Sequence, residues 1–382
     1  MECKFKKQGC GGCQMSDTAY SDQLALKQKN TEKLLRRFGK VRPIIGMQDP
    51  MHYRCKVISS FGTAKDGSLM CGLYAGYSHK VLPIADCLLE DRRCAEVVQA
   101  VRQAAARCRY TAFDEDRGTG LLRHVLVRRG FSTGQIMVVL VTVAAFLPSS
   151  RQFVNELRRL CPDITTIVQN INSRKTSVVL GDTNKVLHGQ GYIDDHLCGC
   201  SFMISPASFY QVNPAQTEVL YRCAIDMAEL TGKETVLDAY CGTGTIGIAA
   251  AKRGAAAVAG VESNGDAVHD AIRNAKRNRV ENIRFYKADA GRFLQQLTEE
   301  DEAPDVVFMD PPRTGSDEKF LSALCTMGPK RIVYISCNPE TQARDLLYLA
   351  KNGYHINVIQ PVDMFPFTEH VECITLLTKT RE

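Results

Sequence analysis

Short apolar runs alternate with helical stretches in the last part of the chain, from about residue 230 onward. The runs are TVLDAY, AAVAGVES, IRFYKAD, PDVVFMD and RIVYISC, followed by YHINVIQ and VECITLLTK. Five strand–helix units in succession predict a parallel sheet covered by helices. The loop PVDMFPFTEH between the last two runs is too short for a parallel crossover, so we expect the final strand to run antiparallel.

Residues 50–205 show a different pattern, in which strand-like runs dominate. The runs are RCKVISSFGT, LMCGLYA, HVLVRRG, QIMVVLVTV, ITTIVQNIN, TSVVLG and CSFMISP. Helices are predicted near residues 91–108 and 149–160, and SDQLALKQKNTEKLLRRFG predicts a basic helix closer to the N-terminus. We therefore predict three domains: a cysteine cluster with the basic helix over 1–48, a β-rich α+β domain over 49–208, and an α/β domain over 209–382.

The composition of the 382 residues indicates a soluble globular protein, with 45% hydrophobic and 24% charged residues. A net charge of +6 permits an anionic partner without requiring one. The N-terminal MECKFKKQGCGGC has no apolar signal region, and QIMVVLVTVAAFLP is shorter than the roughly 20 residues of a membrane helix. We expect a cytoplasmic protein without a membrane partner, whose 16 cysteines are kept reduced. Clustered cysteines in such a protein suggest metal binding or catalysis more than disulfides.

A glycine motif follows the first strand of the α/β domain and opens a helix, in the segment LDAYCGTGTIGIAAA. Its glycines are Gly242, Gly244 and Gly247. Glu262 ends the next strand, 20 residues after Gly242, where a carboxylate can accept hydrogen bonds from ribose hydroxyls. Asp289 ends the third strand at the same edge. A turn that needs glycines only for packing is the alternative, but this context predicts a nucleoside cofactor. NAD and S-adenosylmethionine both remain open, and Asp238 and the antiparallel final strand favour S-adenosylmethionine.

Three reactive side chains are predicted at the same edge, where the carboxyl ends of parallel strands bind ligands. Asp310 ends the fourth strand, Cys337 ends the fifth, and Glu372 begins the antiparallel last strand. Each has a simpler interpretation: a helix cap for Asp310, a small buried hydrophobe for Cys337, and a surface position for Glu372. His370 is a rival candidate for a base.

Cys337 also lies beside a predicted helix N-terminus, because Asn338 or Ser336 can cap and Pro339 suits the first turn. The helix dipole there favours a thiolate, and a thiolate is a nucleophile. Attack of a thiolate on carbon 6 of uracil places electron density on carbon 5, which can then accept a methyl group. A base must remove the carbon-5 proton before the thiolate is expelled.

Five segments of the chain resemble the RNA uracil-5-methyltransferase family, which contains ribosomal and transfer-RNA enzymes. They are SFYQVNP, LDAYCGTGTIG, FMDPPRTG, YISCNPET and DMFPFTEHVECITLL. The resemblance implies a class I, Rossmann-like S-adenosylmethionine-dependent methyltransferase domain over 209–382, with Cys337 as nucleophile and Glu372 as base. It also implies contacts to S-adenosylmethionine, beside Gly242 and Gly244, from Gln211, Tyr240, Glu262, Asp289 and Asp310. Asp310 would in addition meet the pyrimidine.

The N-terminal CKFKKQGCGGCQ resembles the iron–sulfur branch of this family. Cys3, Cys10 and Cys13 give a C-x6-C-x2-C spacing, and the branch places its fourth ligand after a segment like GYSHKVLPIADCLL, which points to Cys87. Four cysteines suit a [4Fe–4S] cluster, and the spacing alone leaves zinc open. Because the chemistry needs no redox step, we expect a structural or RNA-positioning role.

The expected substrate is 23S ribosomal RNA, with transfer RNA as the alternative, because the iron–sulfur signature leans toward the ribosomal enzymes. The family uses its β-rich middle segment to hold RNA, and Arg54 and Arg123 are our candidate RNA contacts. We expect a monomer. Two other classes compete with this interpretation: a non-catalytic, metal-containing RNA-binding assembly factor, and an NAD-dependent oxidoreductase. Neither explains why Cys337 and Glu372 occur together.

Overall fold

A computed structural model describes residues 3–76, 78–300 and 302–380. Its α-helices are α1 Tyr20–Leu35, α2 Arg92–Arg107, α3 Ser150–Leu160, α4 Pro214–Met227, α5 Thr245–Lys252, α6 Gly265–Arg277, α7 Ala290–Glu299, α8 Glu318–Met327 and α9 Pro339–Lys351. Its strands are β1 Lys56–Thr63, β2 Leu69–Tyr74, β3 Val81–Pro83, β4 Leu122–Arg129, β5 Ile136–Thr142, β6 Ile164–Ile171, β7 Thr183–His188, β8 Ile193–Leu197, β9 Cys200–Ile204, β10 Thr235–Ala239, β11 Ala257–Glu262, β12 Ile283–Lys287, β13 Val306–Met309, β14 Arg331–Ser336, β15 Tyr354–Val362 and β16 Glu372–Lys379.

The chain forms two compact units that are not continuous in sequence. The first unit contains residues up to 17, 50–196 and 203–207, and the second contains 18–49, 197–202 and 208 onward. Helix α1 therefore packs within the second unit although it lies between two segments of the first unit in sequence. The three domains divided at residues 48 and 208 remain a prediction.

The second unit is built on a seven-stranded sheet with the order β12-β11-β10-β13-β14-β16-β15. All seven strands predicted from the apolar runs are present, and the α/β fold class is confirmed. The final strand, β16, is antiparallel to both of its neighbours. It inserts between β14 and β15, so that β15 occupies the edge. The sheet is buried under helices by residues such as Leu237, Val307 and Tyr334, which are almost inaccessible to solvent.

The first unit contains a second seven-stranded sheet, with the order β3-β2-β1-β4-β5-β6-β7. Its pairs are antiparallel except for β5 and β6, which are parallel and are connected through α3. Both helices predicted in this region, α2 and α3, are present and pack on the sheet. Every residue of β5 is buried, which explains why its sequence is a continuous apolar run.

The strand predicted for TSVVLG, residues 176–181, is wrong, because this segment is a loop. The side-chain amide of Asn172 donates to the carbonyl oxygens of Val178 at 2.7 Å and Val179 at 3.0 Å. The amide of Asn170 donates to the carbonyl oxygen of Gly181 at 2.9 Å. These side chains take the place of a strand ladder. The edge strand is β7 instead, whose polar and mostly exposed sequence gave no strand signal.

Helix α1 is attached to the second unit through buried polar side chains. Lys27 Nζ lies 2.6 Å from Asp363 Oδ1, and both side chains are almost completely buried. The hydroxyl of Tyr20 donates to Asp363 Oδ2 at 2.8 Å, and Gln23 Oε1 accepts from the backbone N–H of Phe367 at 2.9 Å. The loop held in this way leads directly into β16, so α1 determines how the chain enters that strand.

Across the described residues, every helix is either too short or too polar to span a lipid bilayer.

Replacing Lys27 with Met should destabilise the second unit, because the carboxylate of Asp363 would remain buried without its cation. Breaking a buried pair in this way costs about 3–5 kcal/mol in the free energy of unfolding. Urea denaturation followed by circular dichroism measures this cost. The control is Lys29→Met on the exposed face of the same helix, for which a change within about 0.5 kcal/mol is expected. Equal shifts for the two variants would contradict the prediction.

Candidate active site

Strand pairing brings Cys337 and Glu372 to the same edge of the second unit's sheet. Ser336 in β14 lies opposite Cys373 in the antiparallel β16. Continuing this register by one residue places Cys337 opposite Glu372. Asp310 follows the last residue of β13, which is parallel to β14. Three residues that are distant in sequence are therefore neighbours in space, as the sequence predicts.

The electrostatics of this group differ from the expectation of a stabilised thiolate. Burial raises the pKa of the Cys337 thiol to about 11, and the carboxyl groups of Glu372 and Asp310 raise it further, against a lowering effect of Arg313. Cys337 does precede Asn338, the N-cap of α9, but the helix N-terminus does not outweigh burial and two acidic neighbours. The prediction that the helix dipole yields a resting thiolate is therefore wrong, and the thiol is protonated at neutral pH.

Burial also raises the pKa of both carboxyl groups. Burial raises the pKa of Asp310 to about 7. Burial also raises the pKa of Glu372 well above its ordinary value, and the nearby Asp310 adds to this effect while Arg313 opposes it. A carboxyl group with a raised pKa is a stronger base once it is ionised, which suits proton abstraction near neutral pH.

Arg313 is a component of the site that our sequence analysis did not assign. Its guanidinium group hydrogen-bonds the Cys337 thiol. Its carbonyl oxygen accepts hydrogen bonds from Asn338 Nδ2 and Thr341 Oγ1, both at 3.2 Å. The loop after β13 is thereby fastened to the loop after β14. The available signal was the position of an arginine directly after Asp-Pro-Pro at a strand end, within the motif FMDPPRTG.

Tyr221 in α4 is a second residue that the sequence did not reveal. Its hydroxyl is buried and hydrogen-bonds Thr245, and burial raises its pKa, with Asp310 adding to the shift. It therefore lies close to the carboxyl group of Asp310. No local signal distinguishes this tyrosine from the other buried residues of an amphipathic helix.

The glycine segment after β10 forms a tight turn with left-handed backbone conformations. Tyr240 has a φ of 64°, Gly242 a φ of 53° and Gly244 a φ of 80°. A Cβ atom on Gly244 would lie 2.8 Å from the Phe285 ring, so a side chain is excluded there both by φ and by space. The N–H of Gly242 donates to Glu262 Oε2 at 3.2 Å, which joins the turn to the predicted ribose carboxylate.

Among the remaining predicted cofactor residues, Asp289 lies near Tyr240 of this turn. Asp289 caps α7 by accepting from the N–H of Arg292 at 3.0 Å, and its charge contributes to the raised pKa of Tyr240, which is caused mainly by burial. Gln211 lies partly buried in the segment between β9 and α4. Asp238 accepts from the N–H of Gly247 at 2.7 Å, and burial raises its pKa to about 7.

The four predicted metal-binding cysteines all belong to the first unit and lie near one another. Burial, together with the neighbouring Cys87, Cys10 and Cys3 thiols, raises the pKa of Cys13 to about 12. Three of the four pack around a small apolar cluster centred on Phe5. Within the described residues, no group of three or more His, Cys, Asp or Glu side chains has an arrangement that could hold a metal ion.

Arg54 and Arg123, the predicted RNA contacts, have protein partners in the first unit. Arg54 lowers the pKa of both Cys13 and Glu90, which places its charge beside the cysteines. Arg123 is buried and donates to the carbonyl oxygens of Asn172, Arg174 and Thr176 and to the carboxylate of Glu115. These distances range from 2.5 to 3.2 Å. The guanidinium group of Arg123 is therefore engaged in holding a loop, and RNA contact by either arginine remains a prediction.

Comparisons with known proteins agree with this geometry. The model of the tRNA (uracil-5-)-methyltransferase family matches residues 19–380. An uncharacterized RNA methyltransferase from Halalkalibacterium halodurans is 42% identical over 96% of this chain and 81% of its own length. One from Listeria innocua is 43% identical over 97% and 82%. The crystal structure of Pyrococcus abyssi tRNA (uracil-54, C5)-methyltransferase, in complex with S-adenosyl-L-homocysteine, has a TM-score of 0.81 and 29% identity, covering 97% of this chain and 86% of that one.

The reactivity of Cys337 should rise with pH through an unusually high range. Below the pKa of about 11 the thiolate fraction increases about ten-fold per pH unit, so alkylation by iodoacetamide should not level off at the ordinary value of 9.0. Arg313→Ala should slow alkylation at a given pH, whereas the control Arg313→Lys keeps the charge and should change it less. Mass spectrometry of the Cys337 peptide measures the rate. A plateau at or below pH 9.0 would overturn this interpretation.

Proposed function

Since the chain belongs to the tRNA (uracil-5-)-methyltransferase family and is an S-adenosylmethionine-dependent RNA methyltransferase, we propose that it methylates carbon 5 of a uridine through a covalent adduct with Cys337. The observation that carries the proposal is the pairing of β14 with β16. It sets a nucleophilic sulfur opposite a carboxyl group of raised pKa, with Asp310 beside both. A nucleophile and a base in this arrangement are what C5 methylation of uracil requires.

In the proposed reaction, Cys337 loses its proton to solvent and its Sγ forms a bond to carbon 6 of the uracil. The electron pair of the C5–C6 double bond is delocalised as an enolate onto the C4 carbonyl oxygen. Carbon 5 would then take the methyl group, whose bond to the sulfur of S-adenosylmethionine breaks to leave S-adenosylhomocysteine. The ionised carboxylate of Glu372 removes the carbon-5 proton. The double bond re-forms as the Sγ–C6 bond breaks, which returns the thiolate. Arg313 assists by stabilising negative charge on the sulfur, in accord with its lowering effect on the pKa of Cys337.

S-adenosylmethionine supplies an electrophilic methyl group when it is bound. The turn after β10 fits such a cofactor, because its left-handed glycines leave room for a ligand to approach the backbone and Glu262 lies at its side. We assign cofactor binding to Tyr240, Gly242, Gly244, Glu262, Asp289 and Asp310, at or near the sheet edge that carries this turn, and to Gln211 on the basis of the family resemblance. Asp310, with a pKa of about 7, is also our candidate for contact with the pyrimidine.

We propose 23S ribosomal RNA as the substrate, on the basis of the cysteine spacing that resembles the ribosomal iron–sulfur branch. Transfer RNA is the second candidate. It is favoured by the similarity to the Pyrococcus abyssi enzyme, whose name gives tRNA uracil-54 as its target. The two RNAs can be compared in one assay, because the enzyme should form a covalent adduct only with the RNA that it recognises.

We also propose that Cys3, Cys10, Cys13 and Cys87 hold a [4Fe–4S] cluster. The support is the chemistry of the donor set: four thiols, of which Cys3, Cys10 and Cys87 lie close enough to Cys13 to raise its pKa, with the positive charge of Arg54 nearby. Four thiolates and a cluster carry net negative charge, which a neighbouring guanidinium group stabilises. No step of the methyl transfer involves this group, whose role would be structural.

RNA that contains 5-fluorouracil should trap the wild-type enzyme as a covalent complex, because the fluorine at carbon 5 cannot be abstracted as a proton. Denaturing gel electrophoresis with substituted 23S ribosomal RNA fragments and substituted transfer RNA measures the complex. We expect it with the ribosomal fragments, and a complex with transfer RNA alone would reassign the substrate. Absence of a complex with either RNA would count against the covalent mechanism.

Variants of Cys337 and Glu372 can be tested in the same assay with RNA that contains no 5-fluorouracil. Cys337→Ala should abolish methylation, whereas Glu372→Gln should accumulate the adduct because proton removal fails. Cys325→Ala, at a partly buried cysteine of α8, and Glu369→Gln, at an exposed position three residues before Glu372, are the matched controls and should retain activity.

Protein purified without oxygen should be brown and should contain iron and acid-labile sulfide in equal amounts. Cys87→Ser should lose both, because the cluster would lack one ligand, while Cys108→Ser in the same unit should keep them. Elemental analysis together with visible absorption makes the measurement. Stoichiometric zinc without iron, or no bound metal at all, would overturn the assignment.

A further inference from the structure

A cleft of about 720 Å³ opens in the first unit, on residues that the proposed chemistry does not use. It is lined by residues of strands β1, β2 and β4, by the loop 173–179, and by residues of the connecting segments that include His79, Phe113 and Glu115. This volume lies within the range of small-ligand sites and can hold one nucleotide. None of the residues that we assign to S-adenosylmethionine or to the target uracil lines it.

Three aromatic side chains form one part of the cleft. The ring of Tyr74, which is 41% exposed, meets His79 with centroids 5.9 Å apart and an interplanar angle of 66°. It also meets His124 edge-to-face at 6.5 Å and 88°. Exposed aromatic rings in a concave site are the surfaces on which unpaired bases stack. Tyr74 is therefore an available platform with two rings supporting it.

His124 is a fixed and uncharged member of this group. Its Nδ1 lies 3.1 Å from the hydroxyl of Ser60, which holds the orientation of the ring. Burial lowers the pKa of His124 to about 4, and the charge of Arg123 lowers it further, so the imidazole is neutral at physiological pH. A neutral imidazole beside Tyr74 favours a planar, uncharged ligand at that end of the cleft.

Another part of the cleft lining is the polar loop 173–179, whose backbone is held by Arg123. Its guanidinium group binds the carbonyl oxygens of Arg174 and Thr176, so the backbone of the loop is held before any ligand arrives. The loop presents the exposed cation of Lys175 and the hydroxyl groups of Ser173 and Ser177 to the cleft. Cations and hydroxyl groups on a held backbone are typical donors to phosphate.

We propose that this cleft binds one unstacked nucleotide of the RNA substrate, with its base on Tyr74 and its phosphate at Lys175. The inference deepens the proposed function, because it rests on RNA being the substrate and adds a second nucleotide site remote in sequence from Cys337. The aromatic ring of Tyr74 suits the base of a nucleotide, and the cation of Lys175 suits its phosphate. A peptide would not need this division, and a peptide ligand is an outcome that the test below distinguishes.

Steady-state methylation by the full-length enzyme tests the site. Tyr74→Ala and Lys175→Ala should each raise the KM for RNA about ten-fold, the loss expected for one stacked base or one phosphate contact, while kcat stays within about two-fold. Tyr74→Phe keeps the ring and should restore the wild-type KM. Phe131→Ala removes another exposed aromatic residue of the same unit, outside the cleft, and should leave the KM unchanged. Equal KM values for Tyr74→Ala and Phe131→Ala would overturn the proposal.

Ultraviolet cross-linking separates this inference from the proposed reaction. Single-stranded RNA irradiated on the wild-type enzyme, with S-adenosylhomocysteine present, should cross-link to the peptide that contains Tyr74, and mass spectrometry locates the site. If the cross-link forms but 5-fluorouracil RNA gives no adduct, the nucleotide site stands and the covalent mechanism fails. If the adduct forms but no cross-link reaches the cleft, the cleft proposal fails, and a peptide or another ligand takes its place.

Discussion

The antiparallel pairing of β14 with β16 is the constraint on which the active site depends. It sets Cys337 opposite Glu372, and a slip of one residue would turn every side chain of β16 to the other face of the sheet. The register is held from outside the sheet by Gln342 of α9. Its Nε2 donates to the carbonyl oxygen of Cys373 at 3.1 Å and to Thr375 Oγ1 at 3.2 Å. The helix that begins beside Cys337 therefore also fixes the strand that carries Glu372.

Burial gives this site its resting charge state. Cys337 is protonated at neutral pH, Asp310, with a pKa of about 7, is close to half-protonated there, and burial together with Asp310 raises the pKa of Glu372 well above its ordinary value. Burial therefore limits the negative charge of the site before the proposed reaction. In that reaction, negative charge would develop on the sulfur and on the ring only as bonds form, and the guanidinium group of Arg313 is already in position to stabilise it. The low thiolate fraction at rest also limits unwanted oxidation or alkylation of the sulfur, because the thiolate is the reactive form.

Much of the second unit was predictable from the sequence because its strands are buried on both faces and appear as apolar runs such as RIVYISC. The reactive residues were predictable for a related reason, since strand ends in a parallel sheet converge on one edge. The loop at 176–181 was not predictable, because the side chains of Asn170 and Asn172 that replace its ladder act from another strand. The prediction of a thiolate at Cys337 failed for the same reason. The protonation state of this thiol is set by burial and by carboxyl groups from two other strands, which the local signal of a helix N-terminus does not report.

The cations of this protein show why charge in the sequence is a weak guide to RNA contact. Arg123 has the residue type and the strand position of an RNA contact, yet its side chain is only 4% exposed and its donors are engaged by a loop. A buried guanidinium group needs such acceptors, since an unpaired buried charge is costly. Lys27 is likewise committed to Asp363. A buried cation can instead position an exposed one that is available to a phosphate. Arg123 does this by holding the loop that carries Lys175. In the proposed nucleotide site, the contribution of Arg123 would then be the shape of the loop surface and not the charge on it.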